Sequence, residues 1–340
     1  MSYRHVAIQG TLALAALIAA YFTWQRGAEL APGEVVVVDS NKGDIGSLRF
    51  DDLEKSSWVE LTQANDEAGP FVSVHLGPQE KPAKPADPKH PAEAQSKTPE
   101  RWVRGNDSAD KLFAGFAPLR ANRILGILDP AKLKDLGLEP AQKRITLNLR
   151  HGKRTFVVAP PPPGGSEPYL RDDSDGRVYV VARSLLSDFQ SAATLLVDRR
   201  PHAFRLEEAD RLLVSMGTVR REFILAKGEN GVHLAPAATP DKPDPTVKTW
   251  HDRLFALWPV EVLGKGEVPA EGSPQPTLHV DYKAHGRKLG FIELAKAAAI
   301  ASSGEAGKDT IYARSERTLG WFKLGADAPS LLTDAANLLH

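Results

Sequence analysis

The chain has no cysteine among its 340 residues. Disulfides, thiolate metal sites and a cysteine nucleophile are therefore excluded. The compartment stays open, since such a chain is compatible with an oxidising one. A surplus of charge is also missing, with Lys+Arg and Asp+Glu at 43 each. A general nucleic-acid binder needs a basic excess to neutralise phosphates, so no nucleic-acid partner is expected. Catalytic signatures are absent as well. There is no Gly-x-Ser-x-Gly elbow to expose a serine nucleophile. Gly304 to Asp309 has the wrong spacing for a phosphate loop, and Asp309 stands where a magnesium-holding hydroxyl belongs. In Asp172 to Gly176, a calcium-loop alignment puts Arg171 at the first ligand position and Ala182 where a bidentate Glu is needed. The ten histidines are scattered, and the closest internal pair, His279 and His285, has one carboxylate nearby, Asp281. Zinc needs three or four convergent ligands. The residues thus predict no catalytic, cofactor or metal site, and a protein that is not an enzyme.

What is present begins at the N-terminus. Val6 to Trp24 contains no charged residue, and as a helix it would span roughly 28 Å, close to the hydrocarbon thickness of a bilayer. Tyr21, Phe22 and Trp24 sit where an aromatic belt belongs. This predicts a cytoplasmic tail over residues 1–5 and a transmembrane anchor over residues 6–25 in contact with lipid. The bulk of the chain would then be extracytoplasmic or periplasmic, tethered to the inner membrane. A cleaved signal peptide has similar charge and length, but its clearest small-x-small pair, Ala13-x-Ala15, lies inside the apolar run. A buried core helix is the third reading.

Beyond the anchor the chain repeats itself. Tyr169 to Leu196 and Ile311 to Leu339 each read as strand, strand and short amphipathic helix. Their helices carry apolar residues at i, i+1, i+4, i+7 and i+8, one stripe on one face. Leu112, Phe113, Phe116 and Leu119 repeat those offsets, and Val247, Trp250, Leu254, Leu257 and Trp258 form a further stripe. Four strand-strand-strand-helix units result, and internal repetition implies that no unit buries its apolar face alone. The predicted fold class is α+β: two lobes, 35–200 and 201–340, each with antiparallel sheets covered by helices. Residues 77–99, rich in Pro, Lys, Ala and Glu, read as a disordered insertion. It serves as a tolerated surface excursion or as a spacer.

Arg120-Ala121-Asn122-Arg123-Ile124-Leu125, Leu136 to Pro140, Ile145-Thr146-Leu147, Tyr169, Val178 to Val181 and Asp198-Arg199-Arg200 carry a resemblance. Together they look like the bacterial domain-of-unknown-function 4340 family. The third unit is similar too, with its Trp250-centred helix after a strand and a Pro/Ala-rich loop. The chain departs from that pattern at Pro160 to Pro163 and in the Lys/Pro-rich insertion. The resemblance implies one N-terminal membrane helix and a large extracytoplasmic region. It also implies association with ABC-type transport systems, including those linked to gliding motility.

Two functions follow. The first is a non-enzymatic, membrane-anchored accessory or scaffold subunit of an ABC-transporter-like complex, with protein partners in that complex. The alternative is an extracytoplasmic binding protein for a small molecule or envelope polymer, with a cleft between the lobes. Candidate contact residues are Arg199 and Arg200, which as a helix C-terminal pair complement the dipole, and Trp250, Trp258 and Trp321. The stripe Trp250, Leu254, Trp258 reads first as core, and second as a ligand or glycan platform.

Overall fold

The computed structural model describes residues 13, 14, 16, 17, 33–80, 97–162, 164–228, 231–297 and 310–339. The first half supplies β1 (Val35–Val38), β2 (Ile45–Asp52), β3 (Ser57–Asp66), β4 (Gly69–Leu76), β5 (Gln79–Glu80), β6 (Lys97–Thr98) and β7 (Arg101–Arg104). There follow β8 (Leu119–Ala121), β9 (Arg123–Ile127), β10 (Lys143–Leu149), β11 (Gly152–Ala159), β12 (Tyr169–Asp172) and β13 (Arg177–Val180). Its helices are α1 (Asp107–Ala114), α2 (Pro130–Asp135), α3 (Ser184–Gln190) and α4 (Ala192–Leu195). The second half supplies β14 (Arg211–Met216), β15 (Val219–Gly228), β16 (Gly231–Pro236), β17 (Glu261–Val262), β18 (Gln275–Ala284), β19 (Arg287–Ala297), β20 (Thr310–Ser315) and β21 (Phe322–Lys323). Its helices are α5 (Pro245–Phe255) and α6 (Ala328–Leu339).

Both large sheets are made the same way. The first is nine-stranded, in the order β7-β4-β3-β2-β10-β11-β12-β13-β9, and the second is eight-stranded, β16-β15-β14-β18-β19-β20-β21-β17. In each, two antiparallel meanders join through their first strands: β2 lies against β10, with Leu48 opposite Leu147, and β14 lies against β18, with Val214 opposite Val280. Those four side chains are buried. Short turns hold the meanders. His285 and Gly286 both have positive φ, 50° and 77°, the backbone a two-residue hairpin loop demands.

One face of each sheet is covered. Leu112 and Phe113 of α1 and Leu185, Leu186 and Phe189 of α3 share a core with Leu48, Leu61, Val74 and Phe156. Trp250 and Leu254 of α5 and Leu331, Leu332 and Ala335 of α6 share another with Val214, Val280 and Ile292. Alternation aims these strand residues at the helices and their neighbours the other way. The opposite face of the first sheet is covered at one end, where Leu138 and the α2 segment pack on Val157 and Val178.

Two expectations are corrected. The α+β assignment gives way to a mostly β molecule of antiparallel sheets. Among the described residues 43% are in strands and 21% in helices. The helix stripes were real but short. Leu119, read as the end of a helical stripe, lies instead in β8, since that helix stops at Ala114. The second correction concerns the single-pass inner-membrane anchor with its extracytoplasmic bulk. No helix among the described residues is long and apolar enough to cross a membrane, a crossing that takes about 20 residues. Of 6–25, only residues 13, 14, 16 and 17 are described, and they are helical, so that location is not supported. Other readings fall outside the description: residues 81–96 of the insertion, Glu229 and Asn230, and the 304–309 stretch. The insertion's ends pair with each other as β5 and β6.

Candidate functional site at the junction of the two sheets

The two sheets approach each other edge to edge, β7 against β17. Lys265 N donates to Trp102 O at 2.8 Å. Arg101 reaches across with Nη2 2.7 Å from Glu261 Oε1 and Nε 3.0 Å from Glu267 Oε1. Burial alone would lower the Arg101 pKa. The two carboxylates outweigh it and hold the guanidinium above its ordinary value.

The segment after α4 runs through this junction and is gripped from both sides. On the first sheet, Val197 bridges Gly105 and Asp198 N donates to Arg104 O. Toward the second, the buried Asp198 carboxylate accepts from Arg317 Nε at 2.7 Å. The same carboxylate accepts from Arg200 through its backbone N and Nε, both at 3.0 Å. Arg200 also donates to Asp107 Oδ1 at 2.8 Å. These hydrogen bonds hold the Arg200 guanidinium above its ordinary pKa and the Asp107 carboxyl below its own. The turn that carries Arg317 also carries Glu316, which accepts from Ala203 N at 2.9 Å and Phe291 N at 3.0 Å.

Beside this clasp lies a concavity of about 380 Å³. Its floor is Val197 and Asp198, one wall is the start of α1 from Asn106 to Ser108, and Trp258 closes it from the second half of the chain. Asn106 caps α1, accepting from Ser108 N and Ala109 N at 2.9 and 3.2 Å. Arg199 lines the concavity, and its Nε is buried with no hydrogen-bond partner. Trp258 is 62% exposed. The groove therefore offers apolar surface beside an uncompensated cation.

Of the five residues singled out from sequence, the structure brings three together: Arg199, Arg200 and Trp258. The arginines do not complement a helix dipole. Helix α4 ends at Leu195, and the Val197–Gly105 bridge intervenes. Trp250 is core, 2% exposed, and donates from Nε1 to Leu331 O at 3.0 Å. Trp258 leaves the helical stripe because α5 ends at Phe255. Trp321 is half-buried on the second sheet, with the Arg314 guanidinium 4.7 Å above its ring. Sequence reasoning missed Asp107, Asp198 as a buried acceptor, and Arg317. Only the Asp-Arg-Arg run hinted at them.

Chemistry elsewhere is limited. The acidic turn Asp172 to Gly176 is the β12–β13 hairpin. Asp172 accepts from Arg154 and from Ser174 N and Oγ at 2.8 and 2.7 Å. Burial opposes its ionisation, and these partners outweigh burial and hold its carboxyl below the ordinary value. Ser215, His279 and Asp281 share one face of the second sheet, as a hydrolase would require. Yet His279 Nε2 is 3.2 Å from Asp281 Oδ1 and Nδ1 is 3.9 Å from Glu293 Oε2. Both ring nitrogens thus face carboxylates, and neither is placed to take a proton from Ser215. Among the described residues no cluster of three His, Asp or Glu side chains could hold a metal ion. No family model, curated protein or solved structure matches the chain.

Proposed function

We propose that the protein is a non-enzymatic accessory or scaffold subunit of a multiprotein assembly, and that the junction groove is where a protein partner docks. One observation carries the reading. Trp258 stands exposed beside the unpartnered Arg199 in the groove at the seam between the sheets. Protein interfaces are centred on such aromatic and arginine anchors. A rigid seam suits a scaffold, because the Asp198 clasp holds both walls of the groove in place before a partner arrives. The resemblance to the bacterial domain-of-unknown-function 4340 family makes an ABC-transporter-like assembly, of the kind linked to gliding motility, the first place to look for that partner.

The test is affinity capture with the full chain and with a Trp258→Ser, Arg199→Gln variant. Wild type is expected to recover an ATPase or permease subunit that the variant loses. Equal recovery by both chains places the contact elsewhere. Isolation of the wild type with no partner overturns the scaffold reading.

A further inference from the structure

The face of the second sheet turned away from α5 and α6 carries a line of side chains that the junction groove does not use. Strand register sets it out. Arg220 on β15 lies opposite Ser215 on β14, and Ser215 lies opposite His279 on β18. His279 in turn faces Glu293 on β19, and Glu293 faces Arg314 on β20. Residues opposite each other in a sheet project from the same face. Their chain neighbours Val214, Val280, Ile292 and Ala313 are buried beneath α5 and α6, so this row points away from the helices.

The two ends of the row differ. At one end the charges are matched: Arg314 Nη2 is 2.8 Å from Glu293 Oε2, and Lys288 Nζ is 3.0 Å from Asp281 Oδ1. Burial would raise Asp281, and Lys288 with His279 outweighs that and holds its carboxyl below the ordinary value. At the other end nothing is matched. Arg220 has no hydrogen bond or ion pair among the described residues, and Ser215 Oγ has none either. Both line a concavity of about 480 Å³, larger than the junction groove. A bulge in β18 between Pro276 and Leu278 and the Gly217 turn after β14 raise its rim. Bulges re-aim side chains where a sheet builds a site.

We infer that this concavity is a second binding site, for a small ligand carrying an oxyanion: a carboxylate, sulfate or phosphate group. The Arg220 guanidinium donates to the oxyanion in its forked geometry, and the Ser215 hydroxyl supplies a neutral donor from the adjacent strand. Leu213 and Pro276 leave room for a short apolar portion. Asp281 and Glu293 do not repel the ligand strongly, because Lys288 and Arg314 already neutralise them.

The experiment follows the Arg Nε–Hε resonances of the full chain by NMR at constant ionic strength. Acetate, sulfate and phosphate are titrated in separate arms against chloride, which separates the three sources of oxyanion. A saturable shift of the Arg220 signal is expected in at least one arm. Arg220→Gln should weaken binding, read from the remaining signals, by about tenfold or more, the effect of one charge-assisted hydrogen bond. Ser215→Ala should weaken it less, and Arg199→Gln at the junction groove should leave it unchanged. The inference is overturned if no arm saturates, or if the Arg220→Gln chain, folded by circular dichroism, binds as well as wild type. Because Arg199→Gln is tested alongside, failure here leaves the docking groove untouched.

Discussion

The most consequential single residue outside the groove is His251. It is fully buried in α5, where Nε2 lies 3.2 Å from Tyr282 Oη and Nδ1 has no partner. Its ring sits among those of Phe255 and Tyr282. Burial pushes its pKa down to about 4, because a charged imidazolium there would lose its water without a counterion. The unfolded chain takes up a proton near the ordinary value of about 6.5. The unfolded state therefore binds more protons between those two values. Stability is full above about 6.5 and falls as pH drops toward 4, by up to about 3 kcal/mol from this group. Thermal unfolding followed from pH 7.5 to pH 4.5 should show that decline. His251→Asn, which keeps a partner for Tyr282 but does not titrate, should flatten it. An unchanged slope in the variant would assign the acid sensitivity to other groups.

At the scale of elements, caps and turns decide where strands and helices stop. Asp244 opens α5, accepting from Thr246 N and Val247 N at 2.9 and 3.2 Å, with Pro245 in the first turn. Asp244→Ala removes the acceptor for both otherwise unpaired donors and should cost about 1 kcal/mol in urea denaturation. A loss well above that would mean the Asp244 N–Leu234 O bond, 2.7 Å, is disturbed too. These local devices were readable from sequence. Asp129-Pro130 before α2 and His285-Gly286 between β18 and β19 each announce themselves within a few residues, whereas α1 is capped by Asn106 and not by Asp107 or Ser108. The extent of β structure did not. Where both faces of a strand are covered, alternation disappears: Ile292, Glu293, Leu294 and Ala295 are all buried in β19. Such a run looks alike in a helix or a strand until its neighbours are known.

At the scale of the molecule, Asp198 is the fastening point. Its carboxylate faces the guanidinium groups of Arg200 and Arg317, and Arg317 belongs to the other sheet. Asp198→Ala leaves two cations facing each other without their acceptor and should cost roughly 3 kcal/mol, toward the lower end for breaking a buried pair, since Arg200 is partly exposed. Limited proteolysis should then cut within 199–205, a stretch the wild type holds through Arg200 to Asp198 and Ala203 N to Glu316. A variant that unfolds at the same denaturant midpoint and resists cleavage would show that the edge contact of β7 with β17 suffices.

By itself the sequence determined what is local. It ruled out thiol chemistry, marked the turns, set the apolar stripes of α1, α5 and α6, and placed two arginines beside an aspartate. Tertiary structure decided what meets. Trp250 and Trp258 share one sequence stripe, yet one is core and the other stands at the seam, because α5 stops between them. Ser215, Arg220 and His279 have no sequence relation, yet strand register puts them in one row. Asp198 and Arg317 lie 119 residues apart and meet at 2.7 Å. Periodicity records which side of an element is apolar. It holds no record of which distant element that side will find, because pairing depends on how whole meanders dock.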